Sequence, residues 1–156
     1  MTAFRFHRLA AAAVSALALA ASAPALAQKT EKVDFILNWV AGGDHAPYYY
    51  AKKMGWYAQA GVDLNIELGK GSALAIQKVG AGANPVGLAD MANALTLRGK
   101  GAETVGVYNV YANSPQGLYW LKSSGIKSVK DLVGKKIGNP PGDGARTMWP
   151  ALAKAN

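Results

Sequence analysis

The side chains best suited to recognising a small molecule are crowded into residues 38–50, NWVAGGDHAPYYY. Asn38 offers a donor and an acceptor to the edge of a polar ring, and His45 can donate or accept through either nitrogen. Trp39 and the tyrosines Tyr48, Tyr49 and Tyr50 supply flat faces for a planar heterocycle, a stacking worth about 0.5–1.5 kcal/mol beyond the area it buries. Any one aromatic of such a set more often fills the core than faces a ligand. Trp39, directly after a strand, is the expected exception. Gly42-Gly43 lets the backbone turn tightly between the two groups.

Three further segments carry binding chemistry. Gly69-Lys70-Gly71-Ser72 leads into a helix, whose first N–H groups suit an anionic or carbonyl oxygen. An ordinary N-cap turn through Ser72 explains the same residues, and the spacing is not that of a Walker loop. Asp90 lies between a short strand and a helix; it either accepts from a ligand N–H or caps the helix, the commoner use. Residues 139–146, NPPGDGAR, repeat the pattern: Gly142 and Gly144 permit close backbone approach, and Arg146 can pair with an acidic group. An exposed turn is the plain alternative there.

The catalytic inventory is sparse. After residue 27, His45 is the only histidine, and Asp44 beside it in sequence is not oriented as a triad partner. There is no cysteine and no second imidazole, so no metal-ligand set forms. The expectation is a binding protein and not an enzyme, with no catalytic residue, cofactor or metal. Setting Arg5 and Arg8 aside leaves 15 basic against 9 acidic residues, a net of about +6, dispersed along the chain. With no basic stripe, nucleic acid is not the expected partner.

These residues need elements to position them, and the hydrophobic pattern supplies strands and helices in turn. Residues 32–37, 62–68 and 86–89 read as strands, as do 104–111, 117–121 and the start of one at 136–138. Helices are expected at 47–54, 72–79, 91–97 and 145–154, with a turn at 128–132 and a kink at Pro150. Such alternation implies an α/β fold with a mainly parallel sheet and helices on both faces. Ligands bind such sheets outside the carboxyl ends of the strands. All the segments above lie there. The chain stops within its last helix without a terminating Gly or Pro, which reads as a fragment with exposed apolar surface.

Residues 1–27 read separately. Arg5 and Arg8, the uncharged apolar run 9–21 and Ala25-Leu26-Ala27 form an export leader cleaved after Ala27. The expected location is the periplasm.

The order Asn38-Trp39, His45-Ala46-Pro47, Tyr50-Ala51, Gly55-Trp56-Tyr57 and Ala60-Gly61-Val62-Asp63 resembles the opening of a solute-binding family. That family serves ABC transporters and includes binders of thiamine pyrimidine precursors, riboflavin, alkanesulfonates, taurine and nitrate. Residues 82–90 resemble its "G…VGLAD" strand, and SVKDLVGKKIG at 128–138 resembles its crossing between lobes. The likeness covers residues 32–146. It implies a type II periplasmic-binding-protein arrangement, with the first lobe at 28–122, a crossover at 123–134 and a truncated second lobe at 135–156. Asn38, Trp39, His45, Tyr48, Ser72, Asp90 and Asn93 would line the first wall, and Gly142, Asp143 and Arg146 the second. The resemblance further implies a monomer that captures a heteroaromatic nutrient, such as a thiamine pyrimidine precursor, for an inner-membrane permease. Its alternatives are a binder of alkanesulfonate, taurine or nitrate, and a pyridoxal-phosphate-dependent thiamine pyrimidine synthase-like enzyme. Aligned without gaps, that enzyme's cofactor lysine falls near Ala89 and its sacrificed histidine near Asn93.

Overall fold

Strand β1, Glu31–Ile36, enters the interior at its carboxyl end, where Phe35 and Ile36 on opposite faces are both buried, as is Leu37 just beyond. The computed structural model describes residues 29–156; the leader expected at 1–27 lies outside the described residues. A strand buried on both faces must lie inside a parallel sheet covered by helices. β1 is its centre, flanked by β2 (Val62–Glu67) and β3 (Val86–Gly87) in the order β2-β1-β3, both parallel to it. Phe35 stands opposite Ile66 on one side and Val86 on the other.

Each face has its own cover. Phe35, Leu37 and Leu64 form one layer with Val33, Ile66 and Leu88, and Tyr48 and Tyr57 close over them. Those tyrosines belong to α1 (Ala46–Lys53), which has Pro47 in its first turn, and α2 (Trp56–Gln59). The other face carries Ile36 with Ala75 and Ile76 of α3 (Ser72–Gly80). A Cβ on Gly87 would come within 2.9 Å of Val79 and 3.0 Å of Ile36, so the absent side chain lets helix and strand approach. Two more helices follow, α4 (Met91–Arg98) and α5 (Gly144–Ala155). The architecture is the α/β fold that the pattern implies, and it is consistent with the periplasmic-binding-like lobe that the resemblance implies.

Several expected elements differ. Residues 104–111, 117–121 and 136–138 form no regular strand. Extended backbone becomes sheet only when it pairs with a neighbour, and the sheet of the described residues pairs only β1, β2 and β3. Their alternating apolar side chains stay in solvent: Val107 is 84% and Tyr119 89% exposed. The turn at 129–132 forms as a 3₁₀ segment, Val129–Leu132, held by a reciprocal cap between Ser128 and Asp131. Pro150 sits inside a helix that continues on both sides of it. No helix of the described residues is long and apolar enough to cross a membrane.

Candidate functional site

The chain leaving β1 turns back on itself, and backbone bonds fix the turn. Gly69 N–H donates to Trp39 O at 3.1 Å, and Gly71 N–H to Asn38 O at 2.8 Å. The loops after β1 and β2 are therefore stitched together at the strand ends. His45 lies beneath them at 1% exposure. Its Nδ1 accepts from Gly42 N–H at 3.0 Å, which places the ring proton on Nε2, 2.8 Å from Asn38 Oδ1. With Nδ1 unprotonated, its 3.3 Å approach to Asp44 is a contact and not an ion pair.

The consequence concerns Asn38. Its oxygen accepts from His45 and cannot flip, so its NH2 group points away with no hydrogen bond among the described residues. Asn38 thus offers a fixed donor beside Trp39, which is 37% exposed. His45 has both nitrogens engaged within the chain; it positions Asn38 and has no atom left for a ligand. Tyr48 packs its ring edge-on against Phe35, centroids 5.2 Å apart, and belongs to the core layer. Burial pushes its phenol above its usual range, and Tyr111, Tyr57, Asp44 and Tyr108 add to the shift.

Ser72 does not cap α3. Gly71 holds the cap position at φ 116°, and the Ser72 hydroxyl accepts instead from Asp90 N–H at 3.0 Å. Asp90 caps α4 by accepting from Ala92 N–H at 2.8 Å, the commoner of its two expected uses. Asp143 does the same for α5 through Ala145 N–H at 2.7 Å. Each of these helix starts carries its own carboxylate, which opposes a second anion there. Asn93 is buried, and its side chain meets Gly142 O and the Thr147 hydroxyl.

The strand ends therefore gather Asn38, Trp39, His45, Ser72 and Asp90 into one connected cluster. The large hollow lies to its side. A cavity of about 950 Å³ runs among Gln116, Trp120, Asn139, Arg146 and Trp149. Of the expected site residues only Arg146 lines it, and Arg146 forms no ion pair among the described residues. Gln116 joins cavity and cluster, donating from Nε2 to Asp90 Oδ2 at 3.2 Å. Sequence reasoning missed Gln116 and Thr147, because neither sits in a glycine-rich turn or directly after a strand. Asn84 was missed too: buried in the turn before β3, it donates to Glu67, which also holds Lys78. Those two bonds, Lys78 first, keep the Glu67 carboxyl below its ordinary range. No group of three or more metal-ligating side chains occurs among the described residues.

A family model described as NMT1/THI5 like matches residues 42–156. A Legionella pneumophila protein named 4-amino-5-hydroxymethyl-2-methylpyrimidine phosphate synthase is 30% identical over 114 residues, 73% of this chain and 36% of the relative. Proteins of the same name from Schizosaccharomyces pombe and, as THI12, from Saccharomyces cerevisiae are 29% and 30% identical over 70% of this chain and 32% of their own lengths. The chain thus spans about a third of these relatives. No solved structure gives a significant match. These names correct the expectation that the protein is not an enzyme. The sparse catalytic inventory had counted residues over only a third of the length of such a synthase.

Proposed function

Given that the chain belongs to the NMT1/THI5-like family, we propose that its strand-end cluster is one wall of a cleft for a 4-amino-5-hydroxymethyl-2-methylpyrimidine compound, as in a protein of the synthase type. The observation that carries this reading is the His45–Asn38 bond, which fixes the Asn38 amide and leaves its NH2 without a partner among the described residues, next in sequence to the part-exposed Trp39. A pyrimidine ring nitrogen is an in-plane acceptor, and its π face is flat. A fixed donor next to an indole answers both features. Arg146, in the cavity beside the cluster, suits a phosphate or other anionic group.

The resemblance implies a pyridoxal phosphate held as a Schiff base. A Schiff base needs a lysine amine. Ala89 has none; of the two lysines equally near it in sequence, Lys78 has its ammonium held by Glu67, and Lys100 is exposed in the turn after α4. The described residues do not fit a covalent link to that cofactor. What this lobe contributes is binding and orientation of the pyrimidine.

A second reading, capture of the pyrimidine for an ABC importer, is favoured by the leader pattern of residues 1–27. A periplasmic location, a monomeric state and a permease partner belong to it. N-terminal sequencing of the protein purified from cells separates the two readings: a chain beginning at Gln28 supports export, and one retaining Arg5 and Arg8 supports the first.

The shared claim is tested by calorimetry with the pyrimidine and its phosphate, on wild type and Asn38→Asp. Aspartate keeps the acceptor for His45 but replaces the outward donor by an oxygen. The expected result is a loss of about tenfold or more in affinity with the fold intact, the scale of a donor turned into a repelling acceptor. Equal affinities would remove the Asn38 assignment.

A further inference from the structure

A buried amide joins two segments that are distant in sequence. Asn93, 2% exposed, donates from Nδ2 to Gly142 O at 2.9 Å, and its Oδ1 accepts from the Thr147 hydroxyl. The Gly142 carbonyl also accepts from Ala73 N–H, in the first turn of α3, at 3.2 Å. First-turn N–H groups have no partner within their own helix and must find an acceptor elsewhere. Here a peptide oxygen from residues 140–144 supplies it.

The fit around this contact leaves no slack. A Cβ on Gly71, whose φ is 116°, would lie 3.0 Å from Gly142 O. One on Gly144 would lie 2.4 Å from Asp90 Cγ. The turn before α5 therefore sits directly on the starts of α3 and α4, next to the stitched loops that carry Asn38 and Trp39. Anything entering the strand ends between Gly71 and Gly144 has to lift this turn. Outside the contact α5 is lightly held, with Met148 and Leu152 exposed.

Resting on the reading that the strand ends bind a pyrimidine compound, we propose that Asn93 is a latch. It pins the 140–147 segment shut over the cleft through Gly142 and Thr147, and a ligand that presents an acceptor oxygen competes with Gly142 for the Asn93 amide and Ala73 N–H. The ligand class is one with a carbonyl, carboxylate or phosphate oxygen. The free protein then holds its own oxygen in that subsite, and binding exchanges one acceptor for another. An anionic oxygen makes the stronger bonds to these donors and wins the exchange. Asn93 is on this reading a positioning residue for the segment.

Hydrogen exchange by mass spectrometry on the full chain tests the latch without any ligand. In Asn93→Ala and Thr147→Val, amides at 142–147 are expected to exchange about five- to tenfold faster, the factor for losing one or two hydrogen bonds from a local opening. Amides of β1 should be unchanged. Thr147→Val keeps the side-chain shape, so it decides the matter if Asn93→Ala loosens β1 as well. Unchanged exchange at 142–147 in both variants overturns the latch. In the second arm, Thr147→Val is expected to bind 4-amino-5-hydroxymethyl-2-methylpyrimidine phosphate more tightly than wild type by a similar factor, because the closed state no longer competes. Weaker binding would overturn the competition and make the closed segment part of the bound form. If that phosphate binds none of the proteins, the pyrimidine reading and the competition built on it both fail, while the exchange result still decides the latch.

Discussion

Substituting Gly69 by alanine should break the stitch between the two loops that carry the site. A Cβ there would lie 1.8 Å from the Leu37 carbonyl oxygen, 2.7 Å from its carbon and 2.8 Å from Asn38 C. All three are backbone atoms at the end of the central strand, so no side chain can swing away. To restore ordinary contact the loop must retreat by about 1.5 Å, a displacement in the range where overpacking costs ~1–3 kcal/mol. The same retreat pulls Gly69 N–H from Trp39 O and Gly71 N–H from Asn38 O, two bonds worth ~1 kcal/mol each. The expected loss is about 3–5 kcal/mol, a large share of the 5–15 kcal/mol typical of a domain. Urea denaturation followed by far-UV circular dichroism measures it. At a slope of about 1–2 kcal/mol/M the midpoint should fall by about 1.5–5 M, or the folded baseline should vanish. Gly43→Ala is the control, because a Cβ at Gly43 meets nothing within 4 Å and should leave stability unchanged or raised by ~0.4–1 kcal/mol. Midpoints that agree for the two variants would refute the reasoning, because the stitched loops would then not be holding the strand end.

Trp39→Ala should weaken pyrimidine binding about two- to tenfold by calorimetry, the scale of one lost stacking face, with little change in melting since the ring is partly exposed. Thr104 is buried with its hydroxyl unpartnered, so Thr104→Val should raise stability by ~1 kcal/mol, and a thermal melt showing a loss would reveal a partner for that oxygen. Glu67 and Asp131 have carboxyls held below their ordinary 4.5 and 3.8, Glu67 by Lys78 and Asn84, Asp131 by the N–H groups of Lys127 and Ser128. The unfolded chain therefore takes up these protons first, so their contribution is complete above the ordinary values and lost as pH falls below them. Glu67→Gln should flatten that part of the acid stability profile, and an unaltered slope would contradict the assignment.

The sheet was legible because its signals are local and strong. VDLNIEL alternates over its whole length, KVDFIL alternates and then ends in an apolar run, and parallel order follows from the helices between them. Residues 104–111 and 117–121 are as rich in β-branched and aromatic side chains and form no strand. A strand is a property of two segments, and periodicity reports only one. The site divides along the same line. The strand-end places of Asn38, Trp39 and Asp90 were readable, and Asp90 took the cap that its position favours. The role of His45 was not readable, because it depends on which ring nitrogen meets Gly42, seen only once the turn is folded.

Asn93 shows most clearly what a linear reading omits. Its neighbours Ala92 and Ala94 say nothing of Gly142 or Thr147, which lie 49 and 54 positions away and meet it only because α4 and α5 start at the same end of the sheet. The convergence has a physical origin in the parallel order. In such a sheet helices that follow strands, here α3 after β2 and α4 after β3, begin at the carboxyl edge; the start of α5 is packed against them, and the first N–H groups of all three compete for acceptors. Asp90 and Asp143 answer that demand for α4 and α5, and the Gly142 carbonyl answers it for α3. An edge already supplied with carboxylates and a peptide oxygen is not a free anion site. A phosphate must then bind away from the helix starts, nearer Arg146, or displace the one acceptor that is neutral and carried on a turn. That acceptor is Gly142, which is why the binding chemistry of this lobe and the position of α5 are one question.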